Sequence, residues 1–174
     1  MMHETPLALG YHPLPPGCLA NVVTCLEMTE KPAMRPAPAA PGVTLERMGA
    51  ADTDRFRALF RAIGQDIMWF SRLFLAEEKL AAIIGDPKVH CHALVKDGVD
   101  VGLLELDFRE AGTCELSFFG LVPDEVGTGL GRYLMNEALT RAWDQPISRL
   151  WVHTCTFDHP AALGFYQRSG FKPY

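Results

Sequence analysis

Hydrophobic and polar positions follow two spacings along the chain, and the alternation between them predicts strands and helices in turn. Short apolar runs rich in β-branched residues are typical of strands, whereas apolar residues three and four apart are typical of helices. The pattern predicts strands over residues 19–28, 43–48, 90–96, 101–109, 114–122 and 149–156. It predicts helices over residues 50–63, 76–84 and 130–143, and a last helix that begins at His159-Pro160 and ends at Ser169-Gly170.

Two local signals refine this pattern. Asp97-Gly98 separates two predicted strands and is typical of a tight hairpin turn. The strand predicted over residues 114–122 is apolar apart from Glu115 and Ser117, which favours a central strand buried on both faces.

The first 42 residues differ from the rest of the chain. They are irregular and proline-rich up to Gly17, then contain the predicted strand 19–28, and end in a spacer with four prolines between Lys31 and Gly42. Such a spacer has polyproline II character and excludes a helix or a central strand. We therefore divide the chain into an N-terminal extension, residues 1–42, and a main domain, residues 43–174.

Composition narrows the class of protein. The chain has 174 residues, a net charge of -5 and 48% hydrophobic residues, which favours one globular domain and gives no basic face for nucleic acid. No apolar run reaches the about 18 residues of a membrane helix, and the first ten residues are too polar for a secretory signal. Five cysteines without a CxxC pair favour reduced, mostly buried thiols, and no metal-ligand spacing is present. We expect a cytoplasmic protein.

Three glycines alternate between Val126 and Arg132, at the junction of a predicted strand and a predicted helix. Glycine permits positive φ and close approach of a ligand to the backbone. The first N–H groups of a helix are unpaired and lie at the positive end of its dipole, so such a junction binds phosphate. A dinucleotide loop needs Gly-x-Gly-x-x-Gly in a parallel unit, and the spacing here is Gly-x-Gly-x-Gly after antiparallel strands. A plain glycine-rich turn is the remaining alternative.

A second motif follows the predicted helix, from Trp151 to Phe171. Together the two motifs resemble the GNAT superfamily of N-acetyltransferases. The family's cofactor loop, (Arg/Gln)-x-x-Gly-x-(Gly/Ala), is matched from Val126 to Gly131. Its last-helix pattern, Asn-x-x-Ala-x-x-Phe-Tyr-x-x-x-Gly-Phe, is matched from His159 to Phe171, and the resemblance covers about residues 43–171.

The resemblance implies an α/β fold with a mixed, mostly antiparallel central sheet and helices on both faces. It implies an acyltransferase that moves acetyl from acetyl-CoA directly to a primary amine of a small molecule or peptide. The cofactor residues that it implies are Leu121, Val122, Val126, Gly127, Thr128, Gly129, Leu130, Gly131, Arg132, Thr154, His159 and Phe165. In the family, the backbone at the first two of these positions contacts the thioester oxygen and the pantetheine arm.

Direct acetyl transfer needs a base for the amine and an acid for the departing thiolate. Tyr166 matches the family tyrosine near the cofactor sulfur and is our candidate acid. Glu115, a carboxylate in an apolar strand, is our candidate base, since burial would raise its pKa towards a useful range. Glu105, Asp107 and His153 remain alternatives for the base.

The loop between the first two predicted helices is where the family builds acceptor specificity. Trp69 and Phe70 could hold a cation or an apolar chain, and Arg72 could hold a carboxylate. The alternative for the two aromatic residues is that they anchor the loop in the core. Glu105 and His153 are further candidates to line the acceptor site.

Three features depart from the family. Val126 replaces the usual Arg or Gln, His159 replaces Asn, and few residues follow Phe171, where the family adds further strands. We expect the strand over residues 19–28 to fill part of that gap, from the same chain or from a partner in a homodimer. Transfer from another acyl-CoA, or a non-catalytic CoA-binding module, remain alternative functions.

Overall fold

The computed structural model describes residues 8–174, so the first seven residues of the predicted extension lie outside the described residues. The strands are β1 (Val23–Met28), β2 (Val43–Met48), β3 (Val89–Lys96), β4 (Val99–Asp107), β5 (Thr113–Leu121), β6 (Arg149–Cys155) and β7 (Lys172–Pro173). The helices are α1 (Thr53–Gly64), α2 (Glu77–Ile84), α3 (Leu130–Trp143) and α4 (Ala162–Arg168). Single 3₁₀ turns span Gln65–Ile67 and Pro123–Glu125.

The strands form one sheet in the order β2-β3-β4-β5-β6-β1-β7. All neighbouring pairs are antiparallel except β5 and β6, which are parallel because α3 connects them as a crossover. Asp97 and Gly98 have φ values of 50° and 81°, as the predicted hairpin turn requires. The expected mixed, mostly antiparallel sheet is therefore confirmed.

Helices cover both faces of the sheet, as expected, and bury two apolar cores. On one face Phe56 and Phe60 of α1 pack with Leu103 of β4. On the other face Leu134 of α3 packs with Leu104 of β4. Successive residues of one strand thus serve opposite cores, because side chains alternate across a sheet. Each of these side chains is at most 3% exposed, so truncation to alanine would cost about 2–5 kcal/mol.

β5 lies at the centre of the sheet, but the prediction that it is buried on both faces is wrong beyond Leu116. Of its side chains only those of Cys114 and Leu116 are buried, and those from Ser117 to Leu121 are partly exposed. The cause is that β6 pairs with β5 over only its first three residues. Pairing with β4 also shifts register, leaving Ser117 opposite no residue as a β-bulge.

β1 extends the sheet beyond β6 and lies between β6 and β7. It pairs with β6 over all six of its residues and belongs to the same chain. The predicted strand is therefore present, although it begins at Val23 and not at Leu19. Leu26 and Met28 are 0% and 5% exposed and belong to the core beneath α3. The strand thus contributes both backbone pairing and core packing.

The proline-rich spacer, residues 29–42, crosses from β1 to β2 over α3, and we call it the strap. The Asn136 side chain of α3 donates a hydrogen bond to the carbonyl of Arg35 at 2.8 Å. Pro38 lies against Gly129, since a Cβ added at that glycine would meet the Pro38 Cγ atom at 2.7 Å. The strap is therefore in contact with the start of α3.

Two smaller predictions need correction. The last helix begins at Ala162, and residues 159–161 form a turn in which the Nδ1 atom of His159 accepts a hydrogen bond from the Ala161 N–H at 3.1 Å. All five cysteines are free, but only Cys91 and Cys114 are buried and Cys18 is exposed. No helix within residues 8–174 is long and apolar enough to cross a membrane.

Candidate active site

A cleft opens where β5 and β6 separate. The two strands pair from Thr113 with Arg149 to Glu115 with Trp151, and no further. The cleft has a volume of about 1200 Å³. Its walls include β5 from Ser117 to Leu121, residues 66–72, His153, Asp158, His159 and Tyr166. Unpaired edges of two strands therefore face a space of ligand size.

The backbone direction of β5 decides which donors face the gap. The Val122 N–H donates to the carbonyl of Val101 on β4 at 2.9 Å, so it is not free for a ligand, contrary to our expectation for this donor. Backbone groups of successive strand residues point to opposite sides. The N–H of Leu121 therefore points towards the gap. The Thr156 N–H, just after β6, donates to the Val22 carbonyl and so points towards the N-terminal segment. His153 lies three residues earlier, so its backbone groups point to the opposite side, towards the gap.

The glycine loop lies beside this gap and has the conformation that glycine permits. Gly127 and Gly129 have φ values of 86° and 97°, in the left-handed region, and Gly129 is the N-cap of α3. The N–H groups of Gly127, Gly129 and Gly131 have no hydrogen-bond acceptor among residues 8–174. The Thr128 hydroxyl is engaged within the loop, donating to the Glu125 carbonyl at 2.8 Å. Three alternating backbone donors thus remain available at the positive end of a helix.

Tyr166 lies on α4 at the cleft. The residue is 7% exposed, and its hydroxyl makes no hydrogen bond with the described residues. Burial, with a smaller contribution from Asp158, raises the pKa of this phenol above its ordinary value. The phenol is therefore protonated at neutral pH and can donate a hydrogen bond into the cleft.

Glu115 lies on β5 at the edge of the same cleft. Its side chain is 26% exposed, and one carboxylate oxygen is 3.6 Å from the Nδ1 atom of His153, an ion pair only when that imidazole is protonated. Burial raises the pKa of Glu115, Asp107 adds to the effect, and His153 opposes it. A carboxylate of raised pKa is a better proton acceptor than an ordinary glutamate.

Arg72 and Glu105 bind each other instead of standing as separate groups. The Arg72 guanidinium donates to the Glu105 carboxylate at 2.5 Å, and Glu105 is completely buried. Arg72 itself lines the cleft and lies 5.1 Å from the ring centroid of Phe118. Burial raises the pKa of Glu105, and Arg72 opposes the increase. Glu105 is thus placed to hold Arg72, not to touch a ligand.

The two aromatic residues of the loop after α1 have different environments. Trp69 packs edge-on against Phe118 at 5.2 Å and forms a fixed wall of the cleft. A Cβ at Gly64 would lie 2.2 Å from the Cβ of Trp69, so that glycine makes room for it. Phe70 is 54% exposed and also lines the cleft. Trp69 thus anchors the loop and lines the cleft at once.

Asp158 organises one wall of the cleft and was missed by the sequence analysis. Its carboxylate accepts hydrogen bonds from the Thr154 hydroxyl at 2.7 Å, the Cys155 N–H at 2.8 Å and the Trp69 indole at 3.4 Å. The first two contacts form a turn that a short acidic side chain favours. An aspartate three residues after the end of β6 was the available signal. Thr154 is 4% exposed, so its hydroxyl serves this turn.

Phe165 connects α4 to the glycine loop. Its ring stacks on Phe119 of β5 at 5.6 Å, and the guanidinium of Arg132 lies 4.8 Å from its centroid. Among the described residues there is no group of three or more His, Cys, Asp or Glu side chains that could hold a metal ion.

Comparison with known proteins decides the family. A model described as the acetyltransferase (GNAT) family matches residues 54–171, which is more than half of the chain. The chain belongs to the GNAT acetyltransferases. It is therefore an acyltransferase, and proteins of this family use acetyl-CoA as cosubstrate. A search of curated proteins found no match.

Solved GNAT structures share the fold at low identity. The IAA acetyltransferase from Bacillus cereus is 20% identical with a TM-score of 0.58, over 76% of this chain and 78% of that one. A putative GNAT acetyltransferase from Novosphingobium aromaticivorans is 17% identical with a TM-score of 0.61, over 92% of this chain and 64% of that one. An aminoglycoside acetyltransferase from an uncultured soil sample, in complex with sisomicin, is 15% identical with a TM-score of 0.59, over 74% and 88%. This chain thus spans less than two thirds of the Novosphingobium protein.

The two departures from the GNAT motifs have visible consequences. Val126 is 48% exposed beside the cleft and offers no side-chain donor, so donors at this loop come from the backbone. His159 uses Nδ1 to accept from Ala161, which leaves Nε2 as its free nitrogen. A Cβ at Gly127 would meet nothing within 4 Å, so the loop has open space beside its unpaired amides. The residues present therefore fit the diphosphate of acetyl-CoA.

Proposed function

We propose that this protein transfers an acetyl group from acetyl-CoA to a primary amine of a small molecule or peptide. The proposal is carried by one observation: free backbone donors at a helix start lie next to a gap in the sheet. The amides of Gly127, Gly129 and Gly131, unpaired within residues 8–174, lie at the start of α3, beside the gap between β5 and β6. Phosphate fits the amides at the helix start, and an extended arm that carries amide groups fits the gap between the two strands.

The chain's backbone supplies the holding contacts for this cosubstrate. The three glycine amides bind the diphosphate, which the positive end of α3 also attracts. The backbone groups of His153 face the gap and pair with the pantetheine arm. Leu121 replaces Val122 as the donor towards the thioester oxygen, since the Val122 N–H is bonded to Val101.

Two side chains carry the proton transfers. Glu115 accepts the proton that the amine loses as its nitrogen forms a bond to the acetyl carbon. Tyr166 donates a proton to the sulfur as the carbon–sulfur bond breaks, so that free thiol leaves. The phenol suits this step because it stays protonated at neutral pH and its hydroxyl has no hydrogen-bond partner among the described residues.

The acceptor half of the cleft favours a cationic amine. Trp69 and Phe70 present aromatic faces, and Glu115 presents a carboxylate, all of which attract a cation. Arg72, held by Glu105, offers a guanidinium for a carboxylate or other anionic group elsewhere on the acceptor. Glu105 therefore acts as a positioning residue.

Calorimetry with CoA and free-thiol release with a panel of amines test the proposal. Tyr166→Phe should lower kcat by roughly 10²-fold while the affinity for CoA changes less than about twofold. Tyr11→Phe, at an exposed tyrosine, is the matched control. A kcat unchanged within about twofold would remove Tyr166 from the acid role, and absence of CoA binding would defeat the whole proposal.

The pH profile tests the base separately. The kcat/KM of the unmodified protein should rise with pH as Glu115 loses its proton, at a pH above that of an ordinary glutamate. Glu115→Gln should lower kcat/KM and remove this step from the profile. An unchanged profile in the variant would assign the base to another group.

A further inference from the structure

Three arginines meet outside the cleft, where the strap passes the end of α4. Arg35 of the strap donates to the carbonyl of Arg168 at 3.1 Å. Arg132 of α3 donates to the hydroxyl of Ser169 at 3.1 Å. Adjacent residues at the end of one helix therefore receive a guanidinium from each side. The Arg168 guanidinium lies beside Gly164 of the same helix, close enough for its charge to act on Arg132.

Within residues 8–174 this cluster, Arg35, Arg132 and Arg168, has no counter-ion. No carboxylate in residues 8–174 lies within 4 Å of any of the three guanidiniums. Burial, followed by the charges of Arg35 and Arg168, lowers the pKa of Arg132. The chain carries a net charge of -5, so an uncompensated group of like charges is not a consequence of its composition. Guanidiniums placed together without a carboxylate are typical of a site for an anion.

Helix capping accounts for only part of the arrangement. Cations near a helix C-terminus are stabilised by its dipole, and α4 offers one such end. Arg35, however, comes from a different segment more than 130 residues away in sequence, and its position is fixed independently. Asn136 holds its carbonyl, and Pro38 lies against Gly129. The strap thus places the positive charge of Arg35 near the positive charges of Arg132 and Arg168.

The cluster lies next to the glycine loop. Arg132 directly follows Gly131, one of the three residues with an unpaired amide, and its side chain extends over Phe165 towards α4. Pro38 of the strap contacts Gly129 of the same loop. A ligand whose diphosphate occupies the loop would therefore have its nucleotide half within reach of the cluster.

We propose that Arg35, Arg132 and Arg168 bind the 3′-phosphate of CoA, so that the N-terminal strap completes the cosubstrate site. This inference rests on the proposed function. A phosphate monoester carries close to two negative charges and three acceptor oxygens, which suits several guanidiniums. The enzyme therefore distinguishes CoA from 3′-dephospho-CoA, and Arg35 contributes to that distinction.

Calorimetry with CoA and with 3′-dephospho-CoA tests this site. The unmodified protein should bind CoA about tenfold more tightly than 3′-dephospho-CoA, with a steeper loss of affinity in salt. Arg35→Gln should weaken CoA about tenfold and leave 3′-dephospho-CoA within about twofold, and Arg168→Gln should behave in the same way. Arg61→Gln is the matched control and should change neither affinity, because this arginine on α1 is exposed and has no carboxylate partner among the described residues.

The outcomes separate this inference from the function on which it rests. Equal affinity of the unmodified protein for the two nucleotides would overturn the 3′-phosphate site while leaving the acetyltransferase proposal intact. Equal weakening of both nucleotides by Arg35→Gln would also overturn it, because the strap would then act on the shape of the loop. Binding of neither nucleotide would overturn both proposals.

Discussion

His92 provides a quantitative test of the packing between β3 and α3. Its side chain is 7% exposed, and its Nδ1 atom is buried without a hydrogen-bond partner among the described residues. Burial, and then the charges of Arg47, Arg141 and His90, lower the pKa of His92 from an ordinary 6.5 to about 4. We expect this imidazole to make the fold sensitive to acid.

The magnitude follows from proton linkage. Above pH 6.5 the imidazole is neutral in both the folded and the unfolded chain, and its contribution to stability is fully present. As the pH falls below 6.5 the unfolded chain takes up a proton that the folded chain accepts only near pH 4. The free energy of unfolding should therefore fall by about 2 kcal/mol at pH 5 and by about 3 kcal/mol below pH 4 from this one group.

Urea denaturation at pH 7 and pH 5, followed by circular dichroism, measures the effect. Between these values the unmodified protein should lose about 2 kcal/mol more of its unfolding free energy than His92→Gln does. His12→Gln, at an exposed histidine, should show the unmodified pH dependence. The reasoning fails if His92→Gln and the unmodified protein lose the same free energy between pH 7 and pH 5.

Two further predictions concern the glycine loop and the N-terminal extension. Gly129→Ala should lower the free energy of unfolding, measured in urea, by about 1–3 kcal/mol, because φ is 97° and the new Cβ would meet Pro38. Gly49→Ala is the control, since a Cβ there has open space and should cost under about 0.5 kcal/mol. Gly129→Asp should in addition abolish CoA binding in calorimetry. A chain that begins at Val43 loses the buried Leu26 and exposes the edge of β6, so gel filtration should find it aggregated or unfolded; a monomeric, active product would contradict this.

Local patterns were sufficient to predict most elements and both motifs. The apolar spacing between Leu130 and Trp143 predicts α3 with the bounds that the structure gives, because a helix that packs along one side must repeat its apolar residues at that spacing. The alternating glycines predict the left-handed backbone at Gly127 and Gly129, because side chains disfavour positive φ. Both signals are contained within a few consecutive residues.

Features that depend on distant pairing could not be predicted in this way. The apolar sequence of β5 indicates burial on both faces, but its exposure depends on where β6 stops pairing with it. The hydrogen bond of the Val122 N–H depends on the register between β5 and β4. The buried ion pair of Glu105 depends on Arg72, which belongs to a loop distant in sequence. A single residue of register shift reverses which backbone groups face a gap. Sequence patterns therefore predict where the candidate site lies, but not which of its backbone and side-chain groups are available to a ligand.

The N-terminal extension depends on both local sequence patterns and distant pairing. Its sequence predicts one strand and one stiff spacer, and neither prediction says where the segment lies. Once β1 is paired with β6, the spacer must cross the sheet to reach β2, and the path over α3 brings Pro38 onto the glycine loop and Arg35 to the end of α4. Prolines suit this path because they lose little conformational entropy when the segment is fixed in an extended form. The strand that completes the sheet and the arginine proposed to recognise a phosphate are thus linked by a short stiff segment. A change that unpairs β1 should therefore weaken CoA binding together with the stability of the fold.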